Sequence, residues 1–195
     1  MKIVKPSVTL LSITSEPEKL IERIGRIAYK SEDKITEYSY VKFIQNLIAR
    51  GHESVLEHAS ASLLFICDRG VANEIVRHRI SSFTQESTRY CNYKNGIEIV
   101  EPPLSEILYP HWLQTMHQCE QAYSLLLPLG PQIARSVLPT CLKTEIAMTA
   151  NFRTWRNFFK LRCAKTAHPQ MQEVANMSLT ILKENAPIVF EDMCP

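Results

Sequence analysis

Positions 77–90 read Arg77-His78-Arg79-Ile80-Ser81-Ser82-Phe83-Thr84-Gln85-Glu86-Ser87-Thr88-Arg89-Tyr90. Three permanent cations, an imidazole, several hydroxyls and two aromatic rings share fourteen residues. Guanidinium forks and hydroxyls match phosphate oxygens, and backbone N–H groups add further donors. A histidine between arginines has its cationic form disfavoured by like charge, leaving a neutral ring free to stack or hydrogen-bond with a planar ligand. A solvated surface loop has the same composition. A second cluster lies at Asn151, Arg153, Asn157 and Leu161-Arg162. At about 100° per residue, Arg153, Asn157 and Leu161 fall on one helical stripe, while Phe152, Trp155, Phe158 and Phe159 form another face, read as core. Arg162 lies angularly near Trp155 and Phe158. An arginine at the end of an apolar face needs a partner; a nucleobase is one candidate and Glu173 another.

The remaining composition narrows the chemistry. The chain has 195 residues, 45% hydrophobic and 22% charged, as in a single globular domain spanning 1–195. Its five glycines, Gly25, Gly51, Gly70, Gly96 and Gly130, are too far apart for a dinucleotide fingerprint or a P-loop, so a bound nucleotide would be held mainly by side chains. Eight of eleven arginines lie between 69 and 162, yet the net charge is only +2, against the larger excess expected of a nucleic-acid binder. The six cysteines form no C-x-x-C pair and no signal peptide is evident, so reduced thiols and a cytoplasmic location are expected. Cys163 follows Arg162 but is disfavoured as a nucleophile, because helical neighbours point about 100° apart. His52-Glu53 opens a zinc-site pattern that Leu56 breaks, so no metal is expected. No apolar run approaches the ~20 residues that span a bilayer.

Several elements must position these groups. Ser7–Thr14 reads as a strand, 17–30 as an amphipathic helix, and Val41–Ile48 marks a helix with Gly51 as its C-cap. Ala61–Cys67 reads as a buried strand, followed from about 71 by a short helix leading to Arg77. Residues 81–93 read as an extended segment or an ordered loop. A helix runs from Tyr109 to about Leu127, and a short one from Pro131 carries Arg135. Thr140–Ala150 alternates as a strand, with Leu142, Thr144, Ile146 and Met148 on one face. Asn151–Cys163 and 168–186 are helical. The order gives a mixed α+β domain.

The signature Arg77-His78-Arg79, seven residues, then Ser87-Thr88-Arg89-Tyr90 resembles that of the flavin-dependent thymidylate synthases, the ThyX family. Gly51-His52-Glu53-Ser54 with Glu57-His58, Ala134-Arg135-Ser136-Val137-Leu138-Pro139, and Asn151-Phe152-Arg153 with Asn157 and Leu161-Arg162 resemble other segments of the same family. The likeness runs from about 20 to 190. It implies a central antiparallel-type sheet flanked by helices, and a homotetramer with active sites shared between subunits. It implies reductive methylation of dUMP to dTMP, with methylenetetrahydrofolate as carbon donor and NADPH with FAD as reductant.

Residue by residue, the resemblance implies that His52, Ser54, Arg77, His78, Arg79, Gln85, Asn151, Arg153, Asn157 and Leu161 contact FAD. It implies that Glu74, Arg77, Gln85, Glu86, Ser87, Thr88, Arg89 and Arg135 hold dUMP. Arg162, the implied catalytic residue, would meet the uracil ring and favour its N3-ionised form, activating C5 for carbon transfer; the resemblance also implies that no enzyme nucleophile is required, because reduced flavin supplies the hydride. The chain departs from the family's usual asparagine–glutamate pair with Thr84-Gln85; Glu86 follows one place later. Ala28 and Glu74 stand where some members have serine and glutamine. The alternatives are a paralogue methylating UMP or dCMP, and a nucleic-acid-binding module.

Overall fold

Alternation along residues 142–150 dictates the central element of the fold. Leu142, Thr144, Ile146 and Met148 are fully buried while Glu145 and Thr149 face outward, as a half-covered strand requires. The computed structural model describes residues 1–193; Cys194 of the six cysteines lies outside the described residues. The elements are β1 (Lys2–Val4), β2 (Ser7–Ile13), α1 (Pro17–Ile27), α2 (Ser39–Ala49), β3 (Ser60–Asp68), α3 (Arg69–Ile75), β4 (Ser82–Gln85), β5 (Glu98–Val100), α4 (Tyr109–Leu126), α5 (Pro131–Ala134), β6 (Lys143–Asn151), α6 (Phe152–Arg162), α7 (Pro169–Asn185) and α8 (Pro187–Phe190). A 3-10 segment, Glu53–His58, precedes β3.

An antiparallel sheet of order β2-β3-β6-β4 is flanked by helices, the α+β class expected. At one end of the β3–β6 pair the Phe152 N–H donates to the Ala59 carbonyl, and at the other the Arg69 N–H donates to those of Thr140 and Leu142. The short parallel pair β1–β5, with Ile3 opposite Ile99, was not anticipated. Strands of three residues are too short to show alternation, and partners so distant in sequence leave no local signal.

The chain divides into two compact units interleaved in sequence. One comprises Met1–Ser7, Phe65–Arg77 and Thr84–Ile146; the other comprises Val8–Leu64, His78–Phe83 and the residues from Ala147. The first has a core of Ile97, Ile99, Met116 and Leu142, against which Trp112 and Leu138 pack. The second is built on aromatic residues. Trp155, Phe158 and Phe159 of α6 contact one another at centroid distances of 5.4–5.9 Å, and Phe190 joins Phe152 and Phe159. Trp155 Nε1 donates to the Ala61 carbonyl of β3 at 3.1 Å, which satisfies its buried indole.

Local chemistry sets the element ends. The Asp68 carboxylate accepts from the Val71 N–H at 2.6 Å and caps α3, which therefore begins at Arg69, earlier than its apolar residues suggest. Gly51, at φ +71°, closes α2: its N–H donates to the Ile48 carbonyl and the His52 N–H donates to that of Leu47. This paired closure uses the left-handed conformation that glycine adopts without strain. It turns the chain into the segment bearing His52 and Ser54. Helix α1 ends at Ile27, short of the expected 30, and the chain then passes through Lys30 at φ +48°. Among the described residues no helix is long and apolar enough to cross a membrane.

Candidate functional site

In the unit containing residues 84–146, β4 delivers Gln85 and Glu86 alongside β6. Gln85 Nε2 donates to the buried hydroxyl of Thr144 at 3.3 Å, and Arg69 reaches the same oxygen at 3.4 Å. Glu86 Oε1 accepts from the Tyr93 hydroxyl at 2.7 Å, while Lys143 Nζ stands 3.8 Å from Oε2. Burial, and then the Glu86 carboxylate, hold the Tyr93 phenol above its ordinary range, so it remains a donor. The chain then closes a tight turn on Ser87, whose carbonyl accepts from the N–H groups of Tyr90 at 3.1 Å and Cys91 at 2.9 Å. The Ser87 hydroxyl accepts from the Arg89 N–H. Arg135, in the turn after α5, points Nη1 at the Thr88 hydroxyl, 3.5 Å away. Ser87, Thr88, Arg89 and Arg135 thus assemble hydroxyls and exposed guanidinium groups suited to an anion. Glu74 and the exposed Arg77 lie at the end of α3, where the Arg77 N–H donates to the Glu74 carbonyl.

In the other unit, Asn151 caps α6 by accepting from the Thr154 N–H at 2.9 Å. Its carbonyl is therefore committed to the helix start. Arg153, Asn157 and Leu161 follow along one exposed stripe, and Leu161 leaves 52% of its surface open. The 3-10 segment runs alongside: Arg153 Nη1 lies 2.6 Å from Glu57 Oε1, and Arg156 Nε lies 3.3 Å from Glu53 Oε1. These pairs hold the segment bearing exposed His52 and Ser54 against α6. Arg156 is 5% exposed and is satisfied further by Asp192 and the Val189 carbonyl.

His78 is buried in this second unit, with its ring edge on Phe158 at 4.8 Å. Its Nε2 accepts from Arg162 Nε at 3.0 Å. Burial, and then the Arg162 charge, push its pKa down to about 4, so the ring is neutral near pH 7. The sequence reading of a neutral histidine agrees, but the resolved causes are desolvation and Arg162, not the flanking arginines Arg77 and Arg79. Arg79 is exposed. The partner identified for Arg162 Nε is a third group beside the two weighed, a nucleobase and Glu173.

Burial pushes the thiols of Cys67, Cys141 and Cys163 up, to about 12, 11 and 11, which leaves them protonated and weakly nucleophilic. No cluster of three or more metal-binding side chains occurs among the described residues. No local pattern marks Arg69, Tyr93, or Glu57 as the partner of Arg153. Arg156 does carry a signal: an arginine between Phe152 and Phe159 on an apolar face marks a buried, paired cation.

The family model described as "Thymidylate synthase complementing protein" matches residues 9–188. The chain belongs to this family, the flavin-dependent thymidylate synthases, and is an enzyme of the methyltransferase class. It is 32% identical to the flavin-dependent thymidylate synthase of Geobacter sulfurreducens, over 96% of this chain and 87% of that protein. It is 33% identical to the protein of the same name from Pyrococcus furiosus, over 86% and 75% respectively. The crystal structure of a UMP/dUMP methylase, PolB from Streptomyces cacaoi, bound with 5-Br dUMP, superposes with a TM-score of 0.87 at 23% identity, covering 98% of this chain and 96% of that one. At that identity the likeness establishes the fold.

Proposed function

We propose that this chain methylates C5 of dUMP to give dTMP, taking the carbon from methylenetetrahydrofolate and reducing equivalents from NADPH through FAD. The observation that carries the reading is the signature Arg77-His78-Arg79 and Ser87, in register within a family match over residues 9–188. The structural neighbour, a UMP/dUMP methylase bound with 5-Br dUMP, adds support for a pyrimidine nucleotide substrate.

The residues fit the cofactor by their chemistry. The exposed stripe of α6 offers a cation, an amide and an apolar contact in succession, and the adjoining segment offers an imidazole and a hydroxyl. In this reading Arg153 meets the diphosphate, Asn157 and Asn151 donate amide hydrogens, and Leu161 packs on a ring. His52, Ser54, Arg77, Arg79 and Gln85 complete the contacts, while the buried His78 engages Arg162 instead. When bound and reduced, the flavin supplies the hydride that turns the transferred carbon into a methyl group.

The nucleotide phosphate is held by Ser87, Arg89 and Arg135, with Thr88, Glu74, Arg77, Gln85 and Glu86 around it. Arg162 stabilises the N3-deprotonated uracil, whose C4 carbonyl withdraws less, so the push of N1 through C6 raises electron density at C5 and makes that carbon nucleophilic. No thiolate is asked to attack, in keeping with the raised pKa values of Cys67, Cys141 and Cys163. The chain's contribution is positioning and electrostatics. Leu125, Leu129 and Ile133 around α4 and α5 are exposed by 80%, 61% and 47%, a surface consistent with burial in a homotetramer.

The test is turnover of purified enzyme with isotope-labelled methylenetetrahydrofolate and NADPH, offered dUMP, UMP or dCMP. Label in dTMP supports the reading; methylation of UMP but not dUMP overturns it. Arg162→Ala is expected to abolish methylation while the visible absorbance of bound flavin persists.

A further inference from the structure

We propose that His78 is a positioning residue for Arg162, its imidazole accepting from the guanidinium Nε and so fixing the plane in which the guanidinium lies. The inference rests on the reading that Arg162 meets the uracil ring. His78, Phe158 and Arg162 form a continuous set: the imidazole edge packs on the Phe158 ring at 4.8 Å, and Arg162 follows Phe158 by one turn of α6. Phe158 is itself fully buried against Trp155, so the orientation of the imidazole is set by packed aromatic rings.

An arginine side chain has several rotatable bonds, and an exposed one samples many arrangements. A bond at Nε, the atom where the guanidinium joins its stem, limits rotation of the whole planar group. At 3.0 Å the contact has ordinary hydrogen-bond length. It requires a lone pair on Nε2, so the ring is the neutral tautomer protonated at Nδ1. A cationic imidazole would lose the acceptor and repel the guanidinium. Burial, which disfavours that cation, therefore preserves the contact.

His78→Phe keeps a ring against Phe158 and removes the acceptor; His78→Gln restores an acceptor oxygen. His78→Phe is expected to bind flavin within about threefold of the parent and to lose turnover by about tenfold or more, as a misplaced reacting group does. His78→Gln should retain more turnover than His78→Phe. In the cofactor-free protein, 15N NMR should show an Arg162 Nε–H that exchanges slowly, and faster in His78→Phe.

Three outcomes overturn the proposal. The first is near-parental turnover in His78→Phe while Arg162→Ala is inactive. The second is loss of flavin binding in His78→Phe and His78→Gln alike, which makes His78 a direct cofactor contact. The third, which holds even if His78→Phe fails to fold, is an Arg162 Nε–H in the parent that exchanges as fast as that of exposed Arg79. Full turnover in Arg162→Ala removes the uracil role itself, and the NMR result separates that failure from failure of the contact.

Discussion

Arg156 and Asp192 meet in a two-point ion pair, Nη1 to Oδ1 at 2.6 Å and Nη2 to Oδ2 at 2.7 Å. The guanidinium is 5% exposed and the carboxylate 47%, so the carboxylate is partly screened by water while the arginine is not. Asp192→Asn should lower stability by about 1–3 kcal/mol, measured by urea denaturation, below the cost of breaking a fully buried pair. The Arg156 charge and hydrogen bond hold the Asp192 carboxyl below its ordinary value. Its contribution is therefore present above the unfolded-state pKa near 3.8 and is lost as pH falls through the lower folded value.

Arg153 and Glu57 form a different kind of pair, with side chains 51% and 45% exposed. Such a pair contributes about 0–1 kcal/mol. Arg153→Ala should leave the melting temperature nearly unchanged and weaken flavin binding by about tenfold, a change of ~1.4 kcal/mol. Glu57→Gln should leave stability alone and tighten flavin binding by up to about fivefold, because an anion then no longer competes with the carboxylate for Arg153. Equilibrium flavin titration checks both. Equal affinity in all three proteins would remove Arg153 from the cofactor site.

His78 gives the stability a definite pH dependence. Its folded pKa, about 4, lies below the ordinary histidine value of 6.5, so between these values the unfolded chain binds the proton more readily. The His78 contribution is therefore complete above about pH 6.5, falls as pH drops toward 4, and levels off below. A shift of this size corresponds to roughly 3 kcal/mol. Glu18, whose carboxyl burial holds above its ordinary value, acts in the opposite direction as pH rises. The diagnostic quantity is thus the difference between the parent and His78→Phe. Denaturation at pH 4.5 and 6.5 should show a steeper loss in the parent, and equal losses would refute the assignment.

Gly51 carries a backbone prediction. A Cβ there would meet nothing within 4 Å, yet φ is +71°, so the cost of substitution is conformational and not steric. Gly51→Ala should destabilise by about 1–2 kcal/mol, readable as a lower melting temperature. Because the same turn sends the chain into His52 and Ser54, flavin affinity should fall as well.

Short-range pattern was enough to read much of this protein from its residues alone. The alternation of Leu142, Thr144, Ile146 and Met148, the glycine closing α2, and the aromatic face of α6 each depend on the backbone's own period, so their positions were legible before folding was considered. The register of Arg77-His78-Arg79 with Ser87 was legible too, as was the exposed stripe of Arg153, Asn157 and Leu161. The pairings were not. That Arg162 reaches back to His78, that Glu57 engages Arg153, that Tyr93 and Lys143 engage Glu86, and that β1 lies beside β5 are long-range choices. A linear pattern carries the period of each element but not which distant element will face it. A buried cation or carboxylate takes whichever partner the packed chain brings within about 3 Å, and only the tertiary structure decides that.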